Sequence, residues 1–150
     1  MPGQKPPRPA TPGAAILTIA GAAVIVLGTL LAWVTIDGAS TNAFDLGEFG
    51  ADDGSRGAGL VVLAVVIGAL GAAALAFRRN HAVAISVTIA SAIVLVRCVV
   101  DIGNLNDLAD VLGWELGPGA PVSALGGAMA LGGSIWMLAI RRAWPAPAVR

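Results

Sequence analysis

Four long apolar stretches, almost free of charge, constrain this chain more than anything else in it. They run from about Ala14 to Ile36, Gly57 to Phe77, His81 to Ile102 and Val122 to Ile140. Each has about 19–23 residues, and a helix of that length reaches roughly 30 Å, the thickness of a bilayer's hydrocarbon core. Strands that cross membranes alternate in polarity over about ten residues, and these stretches do not. In lipid every backbone N–H and C=O needs a partner within the protein, which leaves helices. The expected fold is an all-α membrane protein: a four-transmembrane-helix bundle made of two consecutive helical hairpins.

Composition agrees. The chain is 57% hydrophobic and 12% charged, against roughly 45–50% and 25% in soluble domains. Its 150 residues allow one domain. The first stretch exceeds the apolar core of a signal peptide, about 7–15 residues, so it reads as a retained span.

The net charge of zero hides an asymmetry. With four spans, Lys5, Arg8, Arg78, Arg79, Arg141, Arg142 and Arg150 share one side. Asp37, Asp45, Glu48, Asp52, Asp53, Asp101, Asp107, Asp110 and Glu115 lie on the other. Short cytoplasmic loops collect Lys and Arg, so both termini are expected in the cytoplasm and the protein in the cell membrane. Trp33 at the outer end of the first span, Trp114 in the second outer loop and Trp144 after the inner Arg pair fit the headgroup depth that indoles favour. Trp136 lies about a turn inside the fourth span, as filler or a lipid-facing ring.

Residues 1–13 and 143–150 are Pro-rich and too polar to build a core, so they read as a disordered tail and a short tail flanking a domain over 14–142. The first acidic loop, about Asp37 to Arg56, is expected to be solvated. In the second, Leu105, Leu108, Ala109 and Leu112 recur at helical spacing and predict a short helix lying on the membrane surface. The two halves share a plan that ends in an Arg pair, Arg78–Arg79 and Arg141–Arg142. Duplication of a hairpin would produce that plan, and so would selection for cytoplasmic positive charge.

Small residues recur at four-residue spacing: Ala64, Gly68, Ala72 and Ala76; Ala84, Thr88 and Ala92; Gly126, Ala130 and Ser134. Such rows let helix backbones approach in lipid. They serve packing within the bundle, and the same faces suit a membrane-protein partner or a second copy.

Few residues carry chemistry. Arg97 is the one charge that a span carries before its outer end, four residues before Asp101 on the same helix face. It reads as an arginine that reaches outward and pairs with Asp101, with an anion or proton site in the bundle as the alternative. Cys98 is the only cysteine and His81 the only histidine, which excludes an intramolecular disulfide and Cys- or His-rich metal centres. Asp52, Asp53 and Gly54 lack the alternating ligands and closing Glu of a calcium loop. No phosphate-binding loop, zinc-protease motif or nucleophile elbow occurs. The expectation is no cofactor, no metal and no nucleic-acid partner.

The segments LLAWVTIDG, GAGLVVLAVVIGAL and LGPGAPVSALGGAMALGGSIW resemble those of the uncharacterised small four-helix membrane proteins of actinobacteria. That resemblance implies the four-helix fold and no particular activity. The functional expectation is a non-enzymatic accessory or structural subunit of a membrane complex. The alternative is a small oligomeric transporter or channel with Arg97 in the path.

Overall fold

A computed structural model describes residues 11–45, 55–76 and 81–143, without the side chains of Thr11, Ser55, Arg56, Leu108 and 141–143. The order of elements is α1 (Thr11–Leu30), β1 (Ala32–Ile36), β2 (Ala39–Asn42), α2 (Ser55–Ala76), α3 (His81–Leu112), β3 (Glu115–Leu116) and α4 (Gly119–Ala143). All four helices are long and apolar enough to cross a membrane. They form a ring in which α1 touches α2 and α4, and α3 touches the same two. The Arg and Lys residues of the tails and the α2–α3 link, together with Glu48, Asp52, Asp53 and Trp144, lie outside the described side chains.

Buried positions follow one rhythm. On α2 they are Gly57, Leu60, Ala64, Ile67, Gly71 and Ala74; on α3 they include Ala84, Val87, Ser91, Val94, Cys98, Asp101 and Leu105. On α4 they include Gly119, Ser123, Gly126, Ala130, Gly133 and Met137. Alternating steps of three and four average about 3.5 residues, the repeat of helices that wrap left-handedly around one another. Each helix turns its other face outward with large apolar side chains, among them Ile16, Leu27, Val62, Val65, Ile85, Ile89, Ile93, Val96 and Leu125.

The end of α1 departs from the expected span. The expected span to Ile36 stops at Leu30, and the residues after it form β1. Val34, Thr35 and Ile36 are β-branched and favour a strand. Asp37 and Gly38 then both take positive φ, 50° and 82°, the conformation a two-residue hairpin turn requires. Asp37-Gly38 joins β1 to β2 in antiparallel register, with Ile36 opposite Ala39. The all-α expectation thus gives way to a helical bundle carrying a three-stranded sheet, in the order β2-β1-β3.

That sheet caps one end of the bundle and accounts for carbonyls that α1 leaves open. The Leu27 carbonyl accepts from Leu31 N at 3.2 Å, and Thr29 O accepts from Ala43 N at 3.3 Å. Gly28 O accepts from the Trp33 indole Nε1 at 2.9 Å. The register slips between Ala32 and Val34. The bulge turns both Trp33 and Val34 inward, where strict alternation would bury only one. Trp33 is therefore a buried plug and not the interfacial anchor its position suggested. β3 joins the other edge of β1 through Val34–Leu116 and Thr35–Glu115, so the sheet ties the α1–α2 link to the α3–α4 link.

Residues 105–112 also depart from expectation. They form no separate surface helix; they are the last turns of α3, which runs unbroken for 32 residues. Gly103 weakens a helix by only about 1 kcal/mol, and the buried rhythm continues past it through Leu105 and Ala109. The stop comes at Gly113, with φ 70°. There Gly113 N and Trp114 N both donate to Ala109 O, at 2.9 and 3.1 Å, a glycine-terminated helix end. Among the described residues the two halves of the chain accordingly differ: the first link contributes two strands and the second one.

Candidate functional site

The arrangement follows from two seams of the bundle. Along α1, Ala14, Thr18, Gly21, Ile25 and Gly28 meet the α4 row in antiparallel fashion. A Cβ built on Gly21 would stand 2.5 Å from Ala130 N and 2.6 Å from Gly126 O. One built on Gly126 would stand 2.6 Å from Ile25 N and 2.7 Å from Gly21 O. At the opposite end Gly133 approaches Ala14 O, and at the sheet end Gly28 approaches Ser123 and Gly119 approaches Trp33. Backbone lies against backbone over the whole seam. Thr18 Oγ1 folds back on Ala14 O at 3.0 Å, and Ser134 Oγ on Leu131 O at 2.8 Å. Both hydroxyls are thus satisfied within their own helices.

Gly126, Ala130 and Ser134, expected on a packing face, are all buried, Gly126 and Ala130 against α1. Their partner face on α1 was not singled out in the sequence, although Ala14, Gly21 and Gly28 recur every seven residues. On α2 the expected row splits. Ala64 is buried, Gly68 is half-buried where an added Cβ would stand 3.7 Å from the Ala22 methyl, and Ala72 is exposed. Each four-residue step overshoots a full turn by about 40°, so a strict row rotates off the interface. Gly71 takes the contact that Ala72 was expected to make, with its position against Ile19 and Thr18. On α3, Ala84 is buried while Thr88 and Ala92 are half-buried.

The charged pair sits on the other side of the ring, on α3. Arg97 Nε donates to Asp101 Oδ2 at 3.3 Å, joining residues one turn apart. The two ends differ in setting. The Arg97 side chain is 50% exposed and that of Asp101 4%. Asp101 belongs to the buried rhythm with Cys98 and Leu105, while Arg97 belongs to the outward face with Val96 and Val100. Arg97 therefore lies on the outside of the bundle and not in its interior. Its outward neighbours line an open groove of about 420 Å³ formed by Ala92, Ile93, Val96, Arg97 and Val100.

Other candidates are dispersed. Cys98 is fully buried, inaccessible to the reactions of an exposed thiol. His81 is exposed at the start of α3. No cluster of three or more His, Cys, Asp or Glu occurs among the described residues. Trp136 is about half exposed and lies over Gly13. Ser91, buried on α3, has an Oγ with no hydrogen-bond partner among the described residues. Nothing in the sequence distinguished it from the other small polar residues of the spans.

No family model, no curated protein and no solved structure matches this chain.

Proposed function

We propose that the protein is an integral membrane protein with four spans and both termini in the cytoplasm, acting as a non-enzymatic accessory or structural subunit of a membrane complex. Membrane residence is supported by the apolar outward faces of all four helices. Soluble monomers rarely expose contiguous apolar patches beyond a few hundred Å². The orientation is supported by the basic residues near the α2–α3 link and the termini. On this reading the sheet cap stands outside the cell.

The subunit role rests on one observation. Helix α3 is 32 residues long, about 48 Å, which exceeds a hydrocarbon core of about 30 Å. Its projecting end and the sheet beside it still expose Val111 at 80%, together with Leu112, Leu116 and Phe44. Apolar side chains held beyond the lipid are suited to covering by another protein. The outward position of Arg97 leaves a transport path lined by it only between copies of the chain. The subunit reading is therefore the better supported of the two.

Purification in mild detergent after crosslinking in cells tests this. A specific protein recovered with the wild type and lost from a Val111→Asp, Leu112→Asp variant is the expected result. Recovery of the wild-type chain alone as a monomer would refute the subunit role. Reporter fusions at residue 80 that report an external location would refute the orientation.

A further inference from the structure

Arg97 borders the groove on α3, and the other four lining residues are apolar. Asp101 engages the Nε–H. A guanidinium carries four further N–H donors on its two Nη atoms, and no acceptor meets them among the described residues. The site thus pairs an apolar trough with an available cationic fork on its border. That combination complements an amphiphile with an anionic head, and Arg forks match phosphate in geometry.

Depth agrees. Arg97 is about 24 Å along α3 from His81 at the helical rise. With His81 at the cytoplasmic boundary of a core about 30 Å thick, the Arg97 backbone sits roughly 6 Å below the outer boundary. A long side chain spans that distance to reach headgroup phosphate. The same face is a poor seat for a second helix. Its outward row, Ile85, Ile89, Ile93, Val96 and Val100, is bulky and β-branched, whereas helices in lipid approach through small residues. A docked helix would also seal Arg97 into apolar surroundings at a cost.

We infer that this groove binds an anionic phospholipid of the outer leaflet. Its phosphate sits on the Arg97 Nη groups and one acyl chain runs along Val96, Ile93 and Ala92. The inference rests on the membrane-spanning reading above. Asp101 then has two effects: it holds the guanidinium in place, and as an anion it weakens the attraction for phosphate.

The test uses the full chain in phosphatidylcholine vesicles doped, in separate arms, with a phosphatidylglycerol or a phosphatidylcholine bearing a photoreactive acyl chain. Resistance to alkaline carbonate extraction is checked first. The expected result is roughly two- to fivefold more labelling of the peptide around Ile93 and Val96 by the anionic lipid, the size of a partly exposed charge contact. Arg97→Gln abolishes the preference, Arg97→Lys keeps part of it and Asp101→Asn raises it. Equal labelling by both lipids, a preference that survives Arg97→Gln, or crosslinks between two copies through this face would each overturn the site. Extraction by carbonate would overturn the membrane-spanning reading itself, whereas a stably integrated chain without lipid preference would overturn the lipid site alone.

Discussion

The α1–α4 seam and the outward face of α3 solve opposite problems with opposite residues. At the seam, glycine and alanine remove side chains so that two backbones touch. On α3, isoleucine and valine fill the surface and leave a single arginine at a groove. In the membrane setting proposed above, no hydrophobic force acts between apolar helices, and attraction comes from close atomic contact. A surface of small residues is therefore adhesive there, and a bulky one stays free for mobile chains. The contrast implies that the seam holds the fold together while the α3 face is open to the surroundings.

Substitution can break this contrast, and the largest effect is expected inside the seam. Gly126→Val drives two methyls into the α1 backbone and should cost about 3 kcal/mol or more, as overpacking does where backbone cannot yield. Gly132→Ala on the same helix has open space at its Cβ and should change stability little. Unfolding of both variants in mild detergent compares them; equal losses would mean that the seam is not close-packed. Trp33→Phe keeps most of the buried plug but removes the donor to Gly28 O. It should cost about 1–3 kcal/mol for an acceptor left open in a buried site, measured in the same way. Gly113→Ala forces a side chain into left-handed backbone and should cost about 1–2 kcal/mol. It should also speed amide exchange around Ala109 relative to the middle of α3. The smallest effect discriminates two packing rules. Ala72→Leu, on an exposed position, should stay within about 0.5 kcal/mol, whereas Gly71→Leu should destabilise clearly. Reversal of that order would restore the strict four-residue row.

Much of the bundle was legible in the residues because span length is a local property. Runs of apolar side chains such as GAGLVVLAVVIGAL reveal a helix without reference to any neighbour. The Arg97–Asp101 contact was legible for the same reason, since one helical turn separates the pair. The sheet was less visible. Asp37-Gly38 is a strong hairpin signal, but the apolar AWVTI before it continues the hydropathy of α1, and an apolar run can serve helix or strand. The burial of Trp33 depends on a bulge and on a carbonyl that only the finished helix end supplies.

By itself, the sequence determined four helices long enough to cross a membrane, the clustering of all basic residues but Arg56 and Arg97 apart from the acids, and a charged pair one turn apart. The tertiary structure decided which glycines among the described residues meet a backbone, where α1 yields to a strand, and that Arg97 faces away from the bundle. The reason is phase. Hydropathy adds up along one segment, whereas a contact depends on the rotation of two helices about their own axes. A step of one residue turns a side chain by about 100°, enough to exchange Gly71 for Ala72 at the interface.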